Sequence, residues 1–223
     1  MNIKACIFDL DGVIVDTAKY HYLAWKKLAD ELGIEFTLHD NERLKGVSRM
    51  RSLEILLELG KAEYSETDKQ AMATKKNTWY VDFIYQLKPT DILPGAKDFL
   101  IELREQGIKT ALGSASKNAP LILEKLSISS LFDVIVDGNI VSRAKPDPEV
   151  FLKGAEALKV DPMECVVFED AQAGIDAAKN AKMVCVGIGD EAILCNADIV
   201  VGGLNDISYK TFMLSLTKIK ENN

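Results

Sequence analysis

The chain has 223 residues, 48% hydrophobic and 27% charged, which is enough to bury one full core together with a small accessory unit. Its 34 acidic and 27 basic residues leave a formal charge of −7, a field that repels nucleic acid and anionic membranes, so neither is expected as a partner. If the ligand is a phosphate ester, positive charge must be supplied locally, by a metal and a few Lys or Arg side chains.

In chain order, Ala5-Cys6-Ile7-Phe8 is a continuous apolar run broken by Asp9 and Gly12, the pattern of a strand buried on both faces of a parallel sheet. No charged-then-apolar leader precedes it and no apolar run is long enough to span a bilayer, so a cytoplasmic location is expected. From residue 18 to 87 the pattern is almost wholly helical, with helices expected near 18–32, 50–59 and 66–86. Trp25, Trp79, Tyr80, Phe83 and Tyr85 are read as packing residues, and His39 as a surface residue in a polar loop. Lys88-Pro89-Thr90-Asp91-Ile92-Leu93-Pro94-Gly95 then marks a return crossing. Beyond it, helical stretches at 96–106, 119–126, 148–158 and 171–182 alternate with strand-like runs at 108–112, 134–136, 165–168, 184–186 and 199–201.

The expected fold is therefore α/β: a three-layer Rossmann-like core with a parallel sheet, spanning 1–15 and 89–223, and an inserted helical cap at 16–88 with hinges near Asp16 and Pro89. Cys6, Cys165, Cys185 and Cys195 lack metal-type spacing and are expected as buried, reduced thiols, and disorder is expected only at 220–223.

Open parallel sheets bind ligands beyond the carboxyl ends of their strands. Residues at those ends form a set: Asp9 and Asp11, then Ser114 with the backbone amide of Ala115, then Lys145, then Glu169 and Asp170. Asp9 and Asp11, two residues apart, point to the same side, and a second acidic pair nearby requires a cation. Oxygen donors without clustered His or Cys favour Mg²⁺, with Asp9, Asp11, Glu169 and Asp170 as candidate ligands. Asp9 suits a nucleophile and Asp11 a general acid and base. The Ser114 hydroxyl and the Ala115 amide suit the oxygens of a transferring phosphoryl group, and Lys145 adds positive charge, with Arg143 as a second cation. Each signal alone is commonplace, since Asp-x-Asp is often a turn and Ser114 or Glu169-Asp170 could cap a helix. Four in order, each after its own buried strand, favour the catalytic reading.

On these residues the sequence resembles the haloacid dehalogenase superfamily across nearly its whole length. Phe8-Asp9-Leu10-Asp11-Gly12, Ser114, Lys145 and Glu169-Asp170 match its four motifs, and Asp11 resembles the phosphatases and phosphomutases within it. Asp16-Thr17-Ala18-Lys19-Tyr20-His21, Ala24-Trp25, Leu44-Lys45-Gly46-Val47-Ser48-Arg49, Ser52, Ser114-Ala115-Ser116-Lys117-Asn118 and Glu169-Asp170-Ala171-Gln172-Ala173-Gly174-Ile175 are similar to its phosphomutase branch. Gly113 and Ala171 stand where that branch leads one to expect Ala and Ser.

The resemblance implies interconversion of β-D-glucose 1-phosphate and glucose 6-phosphate through an aspartyl-phosphate, with Mg²⁺ and glucose 1,6-bisphosphate as activating intermediate. It makes Arg49, completed by Lys117 and Asn118, the site of the distal phosphate, gives the sugar hydroxyls to Lys45, Gly46, Val47 and Ser48, and adds Ser52, Ala115 and Ser116 to the substrate-binding residues. His21 becomes a partner of Asp11 or of the sugar, and Thr17 helps to position Asp11. A monomer acting on small sugar phosphates is expected. A phosphatase of the same superfamily is the alternative, and a non-catalytic phosphosugar-binding protein a remoter one.

Overall fold

A computed structural model describes residues 2–44 and 47–222. The strands are β1 (Ala5–Phe8), β2 (Lys109–Gly113), β3 (Val134–Val136), β4 (Cys165–Glu169), β5 (Val184–Ile188) and β6 (Ile199–Val201). The helices are α1 (Ala18–Leu32), α2 (Leu38–Glu42), α3 (Arg49–Gly60), α4 (Glu66–Ile84), α5 (Ala96–Glu105), α6 (Ala119–Lys125), α7 (Glu149–Leu158), α8 (Gln172–Asn180) and α9 (Tyr209–Asn222).

The strands form one parallel sheet in the order β3-β2-β1-β4-β5-β6. The chain winds outward from β1 through β2 and β3, then resumes on the other side with β4. The carboxyl end of β1 is thus the switch point where a crevice opens. Phe8 is in register with Leu112 and Phe168, which sets Asp9 level with Gly113 and Glu169.

Strand parity divides the core into two layers. Cys6 and Phe8 join Phe99, Phe168 and Phe212 on one face, whereas Ala5 and Ile7 join Ala111, Phe151 and Ile175 on the other. Phe8 and Phe168 stack with centroids 4.6 Å apart, tying the two strands that carry the central acids.

Helices α1–α4, between β1 and β2 in sequence, gather around a further apolar cluster that includes Trp25, Leu28, Phe36, Leu53, Leu56 and Ala73. Their starts are fixed locally. The Thr37 hydroxyl accepts from the Asp40 amide at 3.3 Å, Ser48 from Arg51 at 3.3 Å and Ser65 from Asp68 at 3.2 Å.

Several sequence expectations change. The polar loop around His39 contains α2, initiated by the Thr37–Asp40 capping box, although His39 is exposed as expected. The chain ends in α9, whose buried Phe212 and Leu216, one turn apart, dock on the sheet, and its backbone is helical through Asn222 where disorder was expected. Cys195 is exposed because it lies in a turn between β5 and β6, whereas Cys6, Cys165 and Cys185 are buried on strands. Tyr85, past the end of α4, is 59% exposed, with Lys125 Nζ 4.8 Å from its ring, because the apolar stripe of α4 ends at Ile84. Among the described residues no helix is long and apolar enough to cross a membrane.

Candidate active site

The ends of β1 and β4 and the connection from β3 to α7 bring Asp9, Lys145, Glu169 and Asp170 together. Lys145 Nζ donates to Asp9 Oδ1 at 2.5 Å and to Glu169 Oε1, its side chain only 1% exposed. Burial alone would pull the ammonium pKa down, but Asp9 and Glu169 outweigh it and leave it raised. Burial raises the Glu169 carboxyl, with Lys145 pulling the other way. The Ala171 amide donates to the other Glu169 oxygen at 2.9 Å, so a backbone donor and a lysine fix this carboxylate.

Carboxylate oxygens of Asp9, Glu169 and Asp170 lie within 4.8 Å of one another. Three acids with one buried lysine among them retain excess negative charge, and an all-oxygen donor set fits a hard divalent ion such as Mg²⁺. Two glycines make room for the group. A Cβ on Gly12, whose φ is +77°, would lie 2.1 Å from Asp170 Oδ2, and one on Gly174 would lie 1.8 Å from Glu169 Oε1. Gly12 is needed both for its left-handed backbone and for this approach.

The Asp11 side chain stands apart from that cluster. Its Oδ1 is buried without a hydrogen-bond partner among the described residues, and its pKa is pushed up to about 8, by burial first and then by Asp9. Around neutrality such a carboxyl holds its proton and can donate it.

Opposite, Ser114 is buried at the end of β2 and its Oγ accepts from the Ser116 amide at 3.1 Å. This turn is braced by the loop after β3. The Gly138 amide donates to the Ser116 carbonyl at 3.2 Å, and a Cβ on Gly138 would lie 2.2 Å from the Ala115 carbonyl oxygen. Asp137, a buried strand-end acid not singled out from sequence, accepts from the Asn139 amide at 2.8 Å and shapes that loop. Farther along, Glu149 receives the Ser142 and Arg143 amides at 3.0 and 2.6 Å, holding the segment that leads to Lys145. Arg143 is an exposed cation on the cavity wall, paired with Asp147 at 3.0 Å.

These strand ends and the faces of α1, α3 and α4 enclose a cavity of about 370 Å³, within the size range of small-ligand sites. Asp9, Asp11, His21, Val47, Ser48, Arg49, Ser52, Ser114, Ala115, Ser116, Lys117, Asn118 and Asp170 all line it. Of the remaining expected residues, Lys145 and Glu169 lie beneath the floor and Thr17 is buried at the start of α1. Lys45 and Gly46 lie outside the described residues. Ser48 already spends its hydroxyl as the cap of α3. Arg51, in contrast to the half-buried Arg49, is exposed and pairs with Glu54 and Glu58 at 3.0 Å each.

His21 and Thr17 have partners that the sequence reading did not name. His21 Nδ1 lies 2.8 Å from Lys76 Nζ, and its ring packs against Tyr80 with centroids 3.9 Å apart. The Tyr80 hydroxyl donates to Thr17 Oγ1 at 3.1 Å. Lys76 is the main functional candidate missed. It is 2% exposed on the cavity wall, 4.5 Å from the Trp25 ring, and burial together with Arg49 pushes its pKa well down. The burial of His21 and the nearby Lys76 likewise keep the imidazole pKa well below its usual value. A signal was present: Ala73, Lys76, Tyr80 and Ile84 form the buried stripe of α4, with a lysine at an apolar position.

A parallel sheet with a nucleophile-type aspartate at its switch point, a lysine–glutamate pair below it and a helical insertion above defines a phosphoryl-transfer scaffold. A family match spans residues 3–182, and the chain belongs to the haloacid dehalogenase-like hydrolases. It is 47% identical to a β-phosphoglucomutase from Bacillus subtilis, with 93% of each chain covered. The crystal structure of a β-phosphoglucomutase from Clostridium difficile superposes with a TM-score of 0.94 at 46% identity, covering 97% of this chain and 98% of that one. A phosphorylated carbohydrates phosphatase from Thermotoga maritima is 32% identical over 80% of this chain and 82% of its own.

Proposed function

We propose that this enzyme interconverts β-D-glucose 1-phosphate and glucose 6-phosphate, with residues 1–15 and 89–223 as catalytic core and 16–88 as cap. The observation that carries this reading is a single cavity lined by residues of both segments. Asp9 and Asp11 line it beyond β1, and so do Arg49 from the cap and Ser116, Lys117 and Asn118 from the core. In this reading a bisphosphate sets one phosphate against Asp9 and the other against Arg49 and its neighbours, and the likeness to β-phosphoglucomutases supports glucose as its sugar.

Asp9 Oδ attacks the phosphorus of glucose 1,6-bisphosphate. The bond to the sugar oxygen breaks and Asp11 supplies the proton that the departing oxygen takes. Glucose 6-phosphate leaves and β-D-glucose 1-phosphate takes its place; Asp11 takes the proton of its 6-hydroxyl as that oxygen attacks the aspartyl-phosphate, the bond from phosphorus to Asp9 breaks, and the regenerated bisphosphate turns over to present its other phosphate to Asp9. Ser114 and the Ala115 amide donate to the phosphoryl oxygens in transit, and Lys145 balances Asp9 and Glu169. Asp9, Asp170 and Glu169 would hold Mg²⁺, which when bound neutralises charge on the transferring group. His21 and Lys76 form one polar unit on the cap side, within electrostatic reach of Asp11, so closing the cap completes the surroundings of the acid. A cytoplasmic monomer completes the reading.

The test is a coupled assay with β-glucose 1-phosphate, Mg²⁺ and catalytic glucose 1,6-bisphosphate, run beside a phosphate-release assay. Glucose 6-phosphate formed well in excess of inorganic phosphate is expected. Phosphate release without glucose 6-phosphate would replace the mutase with a phosphatase.

A further inference from the structure

We infer that Asn77 is a positioning residue that latches the cap over the cavity and thereby sets how much of the aspartyl-phosphate is lost to water; this rests on the mutase reading. Asn77 follows Lys76 on α4 but faces the seam between helices α1–α4 and the strand-end loops, half-buried on the cavity wall. Across that seam, Asn118 Nδ2 donates to Asn77 Oδ1 at 2.9 Å, joining residues 41 apart in sequence.

The choice of partner is informative. Asn118 is the residue before α6, where an Asn side chain ordinarily turns back to accept from the first amides of its own helix, yet it makes no such bond. Its amide is committed across the seam instead. One of its two N–H groups is used on Asn77, which leaves the other for an anion held with Ser116 and Lys117. The same bond therefore orients a distal-phosphate donor and ties α4 to the core beside the cavity. The side-chain hydrogen bonds from α4 to the start of the insertion, Tyr80 to Thr17 and Lys76 to His21, stay within residues 16–88 and do not cross to the strand-end loops.

Once Asp9 carries the phosphoryl group, two oxygens compete for it. If a sugar hydroxyl attacks, the P–O bond to Asp9 breaks and a sugar phosphate forms. If water attacks, the same bond breaks, Asp11 takes the proton and inorganic phosphate leaves. A latch that holds the cap shut favours the bulky acceptor already enclosed and excludes water.

The experiment measures inorganic phosphate released per glucose 6-phosphate formed, using β-glucose 1-phosphate and glucose 1,6-bisphosphate with the wild type, Asn77→Ala, Asn77→Asp, Asn118→Ala and the Asn77→Ala/Asn118→Ala pair. Far-UV circular dichroism and thermal unfolding check that each is folded. Asn77→Ala is expected to raise the ratio about fivefold, the effect of one hydrogen bond of ordinary net strength. Asn77→Asp keeps the acceptor but adds negative charge beside the phosphate site, so the ratio stays near wild type while KM for the bisphosphate rises. In the Asn118→Ala background the second substitution adds nothing further. A folded Asn77→Ala enzyme with an unchanged ratio, or effects of the two alanines that multiply, would overturn the latch. A wild type that isomerises poorly while releasing phosphate freely would instead overturn the mutase reading, and the latch with it.

Discussion

Replacing Lys145 with Met is the most severe single change that the site predicts outside the nucleophile itself. Lys145 Nζ bonds both Asp9 and Glu169, and its side chain and that of Glu169 are each 1% exposed, so the two carboxylates lose their shared cation in a place water scarcely reaches. Breaking a buried ion pair by removing one partner costs about 3–5 kcal/mol. In a chain of this length that corresponds to a fall in Tm of roughly 6–20 °C. The pH dependence has a definite sign. Burial already raises the Glu169 carboxyl while Lys145 opposes the rise, and without the lysine the folded-state pKa climbs further above its unfolded value of about 4.3. A carboxyl raised on folding contributes stability below its unfolded pKa and loses it as pH rises through the folded one. The deficit of Lys145→Met is therefore largest at neutral pH and shrinks on acidification. Urea unfolding of both proteins in EDTA, at about pH 7.5 and about pH 5, measures it. Added Mg²⁺ should raise the Tm of the variant more than that of the parent, because a divalent ion among Asp9, Glu169 and Asp170 replaces the missing charge. A variant within about 1 kcal/mol of wild type at neutral pH in EDTA would refute the reasoning, since no surface-type ion pair is worth more.

Three further outcomes follow from individual geometries. Arg49→Ala should raise KM for glucose 1,6-bisphosphate by about 10-fold or more, the worth of a charge-assisted hydrogen bond, while phosphorylation of Asp9 by a small acyl phosphate that has no distal phosphate changes little. Equal loss with both donors would remove Arg49 from the distal site. Gly12→Ala forces a Cβ to within 2.1 Å of Asp170 Oδ2 at a φ of +77°, so titration calorimetry should show markedly weaker Mg²⁺ binding; unchanged affinity would mean that Asp170 can move aside freely. Lys76 is buried with a depressed pKa, whereas the unfolded chain keeps that proton up to about pH 10.4. Folding thus meets a penalty below that pH which fades as pH rises through it, so Lys76→Met should be more stable than the parent at neutral pH while losing turnover, and the stability gain should disappear in alkaline urea titrations.

The sheet and the strand-end acids were legible because the signals there are local. A buried parallel strand is a short apolar run, and the residue at its end falls by topology at the ligand-binding edge, which is why Asp9, Ser114 and Glu169 could be placed together, with Lys145 added from the connection after β3. The cap side was harder to read. Arg49 and Arg51 look alike in sequence, and only the packing of α3 separates a half-buried cavity residue from an exposed one paired with glutamates. Lys76 was passed over because one lysine in a helix rich in polar residues reads as solvated, although its spacing from Ala73 and Tyr80 put it on the buried stripe. Asn77 and Asn118 meet through a tertiary contact that no local pattern encodes. α9 and the loop helix α2 were missed for a related reason: both are short on pattern and are fixed by docking or by a cap.

The central claim is that Asp9 carries a phosphoryl group from one sugar oxygen to another. A single-turnover experiment with glucose 1,6-bisphosphate labelled in its phosphates tests it directly, by following the label through rapid quench in wild type and Asp9→Asn. The account predicts label first on the peptide that contains Asp9, then in sugar phosphate on addition of β-glucose 1-phosphate, with little in inorganic phosphate and none on the Asp9→Asn protein. Label that passes to inorganic phosphate without returning to sugar, or transfer that persists in Asp9→Asn, would contradict it.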